Sequence, residues 1–457
     1  MTYTIPSPNS AAGGAAIWST IRRKLPCTAA ACLALALMLA AAPLAAQTKP
    51  EPKQQTPPVA SAIHSVSDYL PADFARDGSI GYQAELQRAI DEAARDGVPL
   101  VFPAATYKID ENGLVLRSGS TLWMTGARFE LDADRRQDGQ AFLGRDVAGV
   151  RLVGGEIVGH NEAWPVGTNI RGVYLTGKIS DVDIRQMRIR DLSSNGIGVF
   201  GSQEQPARDV WVSDTVIDHC CNTYADYLVP KTGPEPGSKR EDQGLICFYD
   251  VRDFVVRGCR FENSRSDGTH FYRCGDGHFT DNRVYGAKMG GYFLESCHDV
   301  LATGDVMRDN GSRGVTIERR STHCTLSNCV VTGSGREGLW APNCTGLVIT
   351  GNVFDRNGRK AGLKKDDGSA AGGGTENRTA NVCIDSQSHD PAHSPTEDYL
   401  ISGNIIYTTA EQRAAIRVDA TVSKQIVIKN NLLRGENPHI LVDGQSDGSL
   451  VVEGNTP

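Results

Sequence analysis

The amino-acid sequence predicts an all-β, single-domain right-handed parallel β-helix, a solenoid of similar coils with a short N-terminal capping helix. Three observations predict this fold. A turn motif containing asparagine recurs at a nearly constant spacing, a column of glycines recurs with the same spacing, and an amphipathic helix precedes the repeats.

The recurring turn motif reads apolar, any residue, Gly/Ser/Asp, Asn, any residue, apolar. Its fourth position falls at Cys259, Asn282, Asp305, Asn328, Asn352, Asn404, Asn431 and Asn455. The first four intervals are 23, 23, 23 and 24 residues, a period typical of a solenoid. Asparagine tolerates the left-handed backbone of a tight turn, and its amide can bond to the asparagine of the next coil. The short β-branched and aromatic runs between these turns indicate strands.

A second column gives the same register. Glycines that open strands stand 23, 23 and 24 residues apart, at Gly268, Gly291, Gly314 and Gly338. Upstream, Met187 and Asp214 extend the column of turn residues, and Gly196 and Gly244 extend the column of glycines. We expect roughly ten coils on this reading.

The start of the folded region has a different pattern. Leu86, Ala89, Ile90 and Ala93 have helical spacing, and Gly97 ends the helix. A helix followed by strands can cover the open end of a stack of coils. We therefore expect a cap over residues 63–110 and coils over residues 111–457.

The N-terminal residues predict export. A basic stretch at residues 21–24 precedes an apolar run at residues 29–44 that ends in small residues, the order found in a secretory signal. Residues 1–46 are predicted to be a signal peptide and residues 47–62, rich in Pro, Gln and Lys, a disordered linker. The mature protein is expected in the periplasm or outside the cell.

Charge limits the partners. The formal net charge is −7, and no basic tract follows the N-terminal segment. Nucleic-acid binding requires a basic footprint, so we expect no nucleic-acid partner. After signal cleavage we expect a monomer without a membrane span.

One segment resembles a known family. The matching residues are Asp68-Tyr69, Asp77-Gly78, Leu86-Gln87, Ala89-Ile90-Asp91, Gly97, Val101-Phe102-Pro103 and Tyr107-Lys108-Ile109. They resemble the N-terminal cap of the pectate lyase superfamily. Ala105 stands where that family usually has glycine, and residues 79–82 replace its usual acidic-Thr step. The resemblance implies the fold but leaves the reaction open, since the superfamily includes lyases, hydrolases, epimerases and phage tailspikes.

Two intervals are longer than the repeat. Residues 214–244 and the stretch from Asn352 to about Asn381 contain extra residues that leave from the same turn of the coil. Long loops inside a solenoid are usually functional or disordered. They bracket the coils between Cys259 and Gly346, so the sequence predicts a groove there for an extended polymer.

Strand alternation predicts which side chains face that groove. The outward positions and those just before the column glycines are Arg265, Asp267, His270, Tyr272, Lys288, Glu295, Arg313, Glu318, Arg336, Glu337 and Trp340. Coils stack about 4.8 Å apart, so these residues are expected to form one patch. Its cations, bases and aromatic side chains favour an acidic polysaccharide as substrate.

The patch suits β-elimination at a uronate, which needs a cation on the substrate carboxylate and a base at the neighbouring C–H bond. We assign the cation to Arg313 or Arg265 and the base to Lys288, His270 or Tyr272. Lys288 and Arg313 resemble the Lys and Arg pair of β-helix alginate and chondroitin lyases. The predicted function is therefore an exported polysaccharide lyase. Arg265, Asp267, Arg336, Glu337 and Trp340 are assigned to substrate binding.

Alternatives remain open for the function and for single residues. The patch could serve a polygalacturonase-like hydrolase, a C5-epimerase, or a non-catalytic tailspike-like binding protein. Glu295 and Glu318 could bind Ca²⁺ together or be paired by neighbouring Lys and Arg residues. Trp340 is either a sugar-stacking platform or a covered rim residue. Cys274 and Cys297, 23 residues apart, are either a disulfide or stacked buried thiols.

Overall fold

The backbone forms three long sheets that run along one stack of coils. A computed structural model describes residues 63–165, 167–222, 244–359, 380–386 and 394–457. The predicted signal peptide, the linker and most of both long insertions lie outside these residues. Each coil contributes one strand to the first, second and third sheet in turn, and the strands of neighbouring coils pair in parallel. The predicted all-β parallel β-helix is confirmed.

The first sheet has 12 strands, more than the ten coils expected, because the N-terminal coils lack the asparagine turn. Its strands are Leu114–Val115, Gly139–Arg145, Ile170–Thr176, Ile197–Phe200, Gly244–Tyr249, Asp267–Tyr272, Tyr292–Glu295, Val315–Glu318, Leu339–Trp340, Ala380–Ile384, Ala414–Asp419 and Ile440–Asp443.

The second and third sheets have 14 and 13 strands. The second sheet consists of His64–Ser65, Leu100–Val101, Thr121–Trp123, Ala148–Val153, Ser180–Arg185, Ala207–Ser213, Val251–Arg257, Gly275–Thr280, His298–Thr303, Thr325–Ser327, Val348–Thr350, Thr396–Ser402, Ser423–Lys429 and Val451–Glu453. The third consists of Asp77–Gly81, Thr106–Ile109, Arg128–Leu131, Glu156–Val158, Arg188–Arg190, Val216–Asp218, Arg260–Glu262, Arg283–Tyr285, Val306–Arg308, Val330–Thr332, Val353–Asp355, Ile405–Thr408 and Leu432–Gly435.

The N-terminal end of the stack is covered as predicted. After a short 3-10 helix at Val66–Asp68, an α-helix spans Gln83–Asp96 and ends at Gly97, whose left-handed backbone a glycine adopts readily. The helix buries its apolar stripe in the core. On its other side, the Gln87 amide accepts from Val115 N at 2.7 Å and donates to Val115 O at 2.9 Å. The side chain thus pairs with the first strand of the first sheet, whose edge would otherwise be open.

The asparagine ladder is present, with one member different from the prediction. Asn431 donates to Asn455 Oδ1 at 2.8 Å, and Asn404 donates to Asn431 Oδ1 at 2.9 Å. At the predicted position of Asn328 the ladder instead contains Cys329, whose amide nitrogen donates to Asn352 Oδ1 at 2.9 Å. Asn328 is the preceding residue and has a positive φ of 54°. The extra residue of that coil therefore falls before the ladder position.

The column glycines face the core, and the predicted register is confirmed by the strand pairs. A Cβ on Gly314 would lie 2.2 Å from Val331 Cγ1, so no larger residue fits there without displacement. The cysteines also fill interior positions. None of the ten cysteines of the described residues is in a disulfide, and Cys274 and Cys297 donate to the backbone oxygens of Phe248 and Phe271. Of the two alternatives for this pair, the structure has stacked thiols.

Within the described residues, no helix combines the length and the apolar content that a membrane span requires.

Candidate functional site

The outward face of the first sheet, called here the first-sheet face, carries two parallel columns of side chains. The His270 column follows the strand register through Cys247, His270, Phe293, Thr316, Trp340, Cys383 and Arg417. The Tyr272 column contains Phe200, Tyr249, Tyr272, Glu295 and Glu318. Because successive members belong to successive coils, neighbours in a column lie about one strand spacing apart.

His270 is the centre of a hydrogen-bonded group on this face. Its Nε2 lies 3.2 Å from Glu295 Oε2, and its Nδ1 lies 3.5 Å from the Tyr249 hydroxyl. The ring stacks on Phe293 with centroids 4.6 Å apart. Only 1% of its surface is exposed, so this outward side chain is covered by its neighbours. Alternation correctly indicates an outward side chain but does not indicate what covers it.

Asp267 does not contact this imidazole as its partner. Its carboxylate accepts from Gly290 N at 2.7 Å, one coil further on. Asp267 is buried, and this bond joins the start of its strand to the connection that leads into the next strand of the first sheet. The carboxylate that orients His270 is Glu295 instead.

Arg319 bridges the two glutamates that were candidate metal ligands. Its guanidinium pairs with Glu295 Oε1, and its Nε lies 3.3 Å from Glu318 Oε1. Burial acts to raise the pKa of Glu295, but hydrogen bonds and charges from His270 and Arg319 outweigh it and lower the pKa to about 2. The cation between the glutamates is therefore an arginine, the alternative to a shared Ca²⁺.

A second ion-paired group surrounds Glu337. Arg313 Nε lies 3.1 Å from Glu337 Oε2, and Arg336 Nη2 lies 3.2 Å from Glu337 Oε1. The Arg313 guanidinium also lies over the Trp340 ring, 3.8 Å from its centroid. Glu337 is 1% exposed, so both arginines neutralise a buried charge.

Trp340 is buried, with 3% of its surface exposed. Its indole Nε1 donates to Asp385 Oδ1 at 2.7 Å, while Arg313 covers one ring face. Of the two alternatives for Trp340, the structure has the covered residue. Asp385 in turn pairs with Arg417 at 3.4 Å, and Arg417 Nε lies 2.6 Å from Asp443 Oδ2.

The remaining predicted residues lie at the edge of the face. Lys288 is exposed and, among the described residues, forms no ion pair within 4.0 Å. Arg265 is partly buried and lies 4.0 Å from Glu162. The Tyr272 hydroxyl accepts from Arg273 Nη1 at 3.2 Å, and its ring lies 5.0 Å from that of Tyr249. Lys288 and Arg265 belong to connections from the third sheet to the first, as do the flanks of both long insertions.

Several residues of the face were absent from the sequence prediction. Tyr249 precedes Tyr272 by 23 residues, and Arg319 follows Arg273 by twice that interval, so the repeat could have identified both. Asp385 and Arg417 follow an insertion that breaks the period. Pairing of Cys383 with Arg417 becomes visible only in the structure.

Among the described residues, one group has His and carboxylate atoms close enough together for a metal ion. Asp276, His298 and Asp299 lie within 4.8 Å of one another beside the second sheet, and both carboxylates are exposed. Such surface clusters are common without an ion, so we assign no metal site there.

The chemistry available on the first-sheet face is proton transfer. An ionised carboxylate fixes one imidazole nitrogen, and the other nitrogen faces a phenol. This order of carboxylate, imidazole and hydroxyl lets histidine accept the proton of the tyrosine. The face also offers an exposed ammonium group at its edge.

Comparison with known proteins supports the same fold. A search of curated proteins finds no match. Among solved structures, the Azotobacter vinelandii mannuronan C-5 epimerase AlgE4 A-module has a TM-score of 0.61 at 17% identity, covering 86% of this chain and 100% of that one. The Dettilon tailspike protein gp208 has a TM-score of 0.57 at 12% identity, covering 83% and 68%. The Streptococcus pneumoniae surface adhesin PfbA has a TM-score of 0.54 at 13% identity, covering 83% and 91%.

These neighbours, all below 25% identity, share the fold with this chain. A family model described as "Right handed beta helix region" matches residues 168–329, 242–384 and 307–456. The overlapping matches cover more than half of the sequence. The chain therefore belongs to the right-handed β-helix family.

Proposed function

We propose that the protein is a polysaccharide lyase that cleaves an acidic, uronate-containing polysaccharide by β-elimination on the first-sheet face. The observation that carries this proposal is the line Tyr249, His270, Glu295, with contacts of 3.5 and 3.2 Å. The exposed ammonium group of Lys288 at the edge of the face supports an acidic substrate.

Burial determines which member of the line meets the substrate. His270 is almost fully covered, whereas Tyr249 and Tyr272 are partly exposed. Glu295 holds the Nε2–H of the imidazole, so Nδ1 can accept a proton from the Tyr249 hydroxyl. The tyrosine oxygen then acts as the base toward the sugar. His270 is accordingly a positioning and proton-accepting group behind Tyr249.

The reaction breaks two bonds of the uronate. The tyrosine oxygen removes the proton at C5, next to the carboxylate, and the electron pair forms the C4=C5 double bond as the C4–O bond breaks. The leaving oxygen takes a proton from the hydroxyl that the tyrosine has just regained and becomes the new hydroxyl end of the chain, and the tyrosinate recovers its own proton from His270. A cation on the substrate carboxylate stabilises the charge that develops in between.

Lys288 is the best candidate for that cation. Its side chain is exposed and forms no ion pair with the described residues. Arg313 is engaged by Glu337 and covers Trp340, and Arg265 lies at a longer distance from Glu162. We propose that Lys288 contacts the substrate carboxylate, with Arg265 beside it.

The carboxylates of the face favour elimination over hydrolysis. An inverting hydrolase needs a protonated carboxylic acid as general acid. Burial opposes ionisation of Glu295, but His270 and Arg319 hold its pKa near 2, and Glu318 and Glu337 are ion-paired. C5-epimerisation begins with the same proton removal and differs only in its second step. A tailspike-like binding protein would show no turnover.

We also propose that the protein acts as a monomer in the periplasm or outside the cell. The basic and apolar order of residues 21–44 supports export.

The test is turnover of alginate, pectate and glycosaminoglycans by the full mature chain, followed by absorbance of unsaturated uronate. Tyr249→Phe and His270→Gln are expected to lower kcat by about 10²- to 10⁴-fold. Matched controls replace an exposed tyrosine of the third sheet and an exposed histidine of the second, Tyr407→Phe and His278→Gln. They should retain wild-type rates.

The products separate the alternatives. New reducing ends without absorbance would replace the lyase with a hydrolase, and a changed C5 configuration in NMR spectra with neither signal would replace it with an epimerase. Binding without any product would leave only the non-catalytic protein. Full activity of Tyr249→Phe would refute the proposed base.

A further inference from the structure

The outward face of the second sheet contains a shallow depression of about 370 Å³. Trp211 forms part of its wall, and 55% of the Trp211 surface is exposed. The depression is formed by three successive strands, Ser180–Arg185, Ala207–Ser213 and Val251–Arg257. It belongs to a different sheet from the His270 column.

An exposed tryptophan is costly unless something covers it, since its indole carries a large apolar surface. Trp340 on the first-sheet face shows how this protein covers such a ring, with Arg313 over it and Asp385 on its nitrogen. Among the described residues, no arginine lies over the Trp211 ring. Trp211 therefore has the exposed ring face that a sugar-stacking platform needs, which Trp340 lacks.

Charged side chains surround the ring. Arg185 and Asp183 lie 3.7 Å apart and compensate each other. Arg257 is exposed and forms no ion pair with the described residues, and the same holds for Asp209. The depression thus offers one uncompensated guanidinium and one uncompensated carboxylate beside an apolar ring.

We propose that this depression is a second saccharide-binding site, distinct from the first-sheet face. A pyranose ring would lay its C–H face on Trp211, as aromatic platforms accept apolar faces. Arg257 would bind a sugar carboxylate, and Asp209 would accept from sugar hydroxyls. The site's position is independent of the proposed function, while the choice of an acidic sugar rests on it.

The strand register extends the site along the stack. Trp123, Arg185 and Arg257 occupy one outward column, through the pairs Trp123 with Val153, Val153 with Arg185, Arg185 with Ser213 and Ser213 with Arg257. Members two strands apart are separated by about 10 Å. Trp123 is also exposed. A polymer lying along the solenoid would meet Trp123 and then Trp211.

Affinity electrophoresis tests the site, with sodium alginate, polygalacturonate or neutral dextran in the gel. The substitutions are made in a parent protein that carries His270→Gln, so that the polymer is not cleaved during the run. Trp211→Ala is expected to weaken retardation by both uronate polymers by about tenfold. Arg257→Gln should weaken it mainly at low salt. Tyr407→Ala, another exposed aromatic, is the matched control and should bind like its parent.

Activity separates this inference from the proposed function. Trp211→Ala in the wild-type background should retain the wild-type rate on short uronate oligosaccharides, and its circular dichroism should match wild type. Retardation that depends on Trp211 in a protein without lyase activity would uphold the site and reject the proposed reaction. Unchanged retardation of Trp211→Ala, or a parent that none of the three polymers retards, would overturn the site.

Discussion

Replacing Asp305 with asparagine should stabilise the protein at high pH. Asp305 is fully buried in the asparagine ladder, where its Oδ1 accepts from Asn282 N at 2.8 Å and from Asn282 Nδ2 at 3.1 Å. Burial raises the pKa of this carboxyl to about 8, against the lowering effect of the Asn282 hydrogen bonds. The native state therefore keeps a proton that the unfolded chain releases.

The sign and size follow from proton linkage. Between the ordinary value of 3.8 and about 8, the native state binds more protons than the unfolded state, so the free energy of unfolding falls as pH rises. One pKa unit is worth about 1.4 kcal/mol. The shift thus corresponds to a loss of at most roughly 5 kcal/mol between pH 4 and pH 8.

An asparagine at position 305 does not titrate, so it removes this pH dependence, and its amide can also donate a hydrogen bond as the other ladder asparagines do. At equivalent positions, Asn282 and Asn352 donate to the carbonyls of Val256 and Leu326, each 26 residues upstream. An asparagine at position 305 would find the carbonyl of Phe279 at the same offset. The variant should therefore gain stability over wild type as pH rises.

Guanidinium chloride unfolding at pH 5 and pH 8, followed by far-UV circular dichroism, measures the effect. The stability difference between Asp305→Asn and wild type should grow by several kcal/mol over this range. Asp398→Asn, which removes an exposed carboxylate that does not act on Asp305, is the control. A stability difference that stays constant from pH 5 to pH 8 would refute the reasoning.

Three further predictions concern the solenoid. Asn404→Ala should lower the free energy of unfolding, measured by chemical denaturation, by about 2–4 kcal/mol, because it removes hydrogen bonds to both Asn352 and Asn431 and leaves buried groups unpaired. Replacing the exposed Asn112 with alanine is the control and should have little effect. Gly314→Ala should lower stability by about 1–3 kcal/mol through overpacking, with Gly81→Ala, whose Cβ meets nothing within 4 Å, as control. A reducing agent should leave the melting temperature unchanged, since none of the described cysteines is in a disulfide; a clear decrease would contradict this.

The repeat made most of the fold predictable. Register depends on local turn residues that recur, so the glycine column and the capping helix were correct. The assignment of Asn328 to the ladder was wrong because the motif was aligned by residue type. Membership of the ladder depends instead on which residue has its backbone at the turn, next to Asn352 of the following coil. Cys329 occupies that position although its side chain is no amide.

The candidate site was predictable to a smaller extent. Alternation indicates that His270 and Trp340 point outward, but it does not indicate the packing that buries both side chains. It also cannot choose partners across coils, so the contact of His270 with Glu295 and that of Asp267 with Gly290 become visible only in the structure. The two insertions, predicted to wall the groove, lie mostly outside the described residues, and that prediction remains untested.

The geometry of a parallel stack explains why charges on the first-sheet face pair along its axis. His270 with Glu295, Arg313 with Glu337, and Arg417 with Asp443 are 25, 24 and 26 residues apart, about one coil in each case. Within a strand, consecutive side chains point to opposite faces, while the equivalent side chains of the next coil lie about 4.8 Å away. Pairs of adjacent residues, Arg319 with Glu318 and Arg336 with Glu337, occur where the chain leaves or approaches a strand.

Such pairing has a consequence for any polymer on this face. A buried ion pair that loses one partner leaves an uncompensated charge, which costs more than the pair contributes. The paired arginines are therefore held by Glu295, Glu318 and Glu337 and are poor candidates for gripping a substrate carboxylate. On the proposed function, a substrate carboxylate would therefore use the groups at the edge of the face, which is why Lys288, rather than the paired arginines, is the cation to test first.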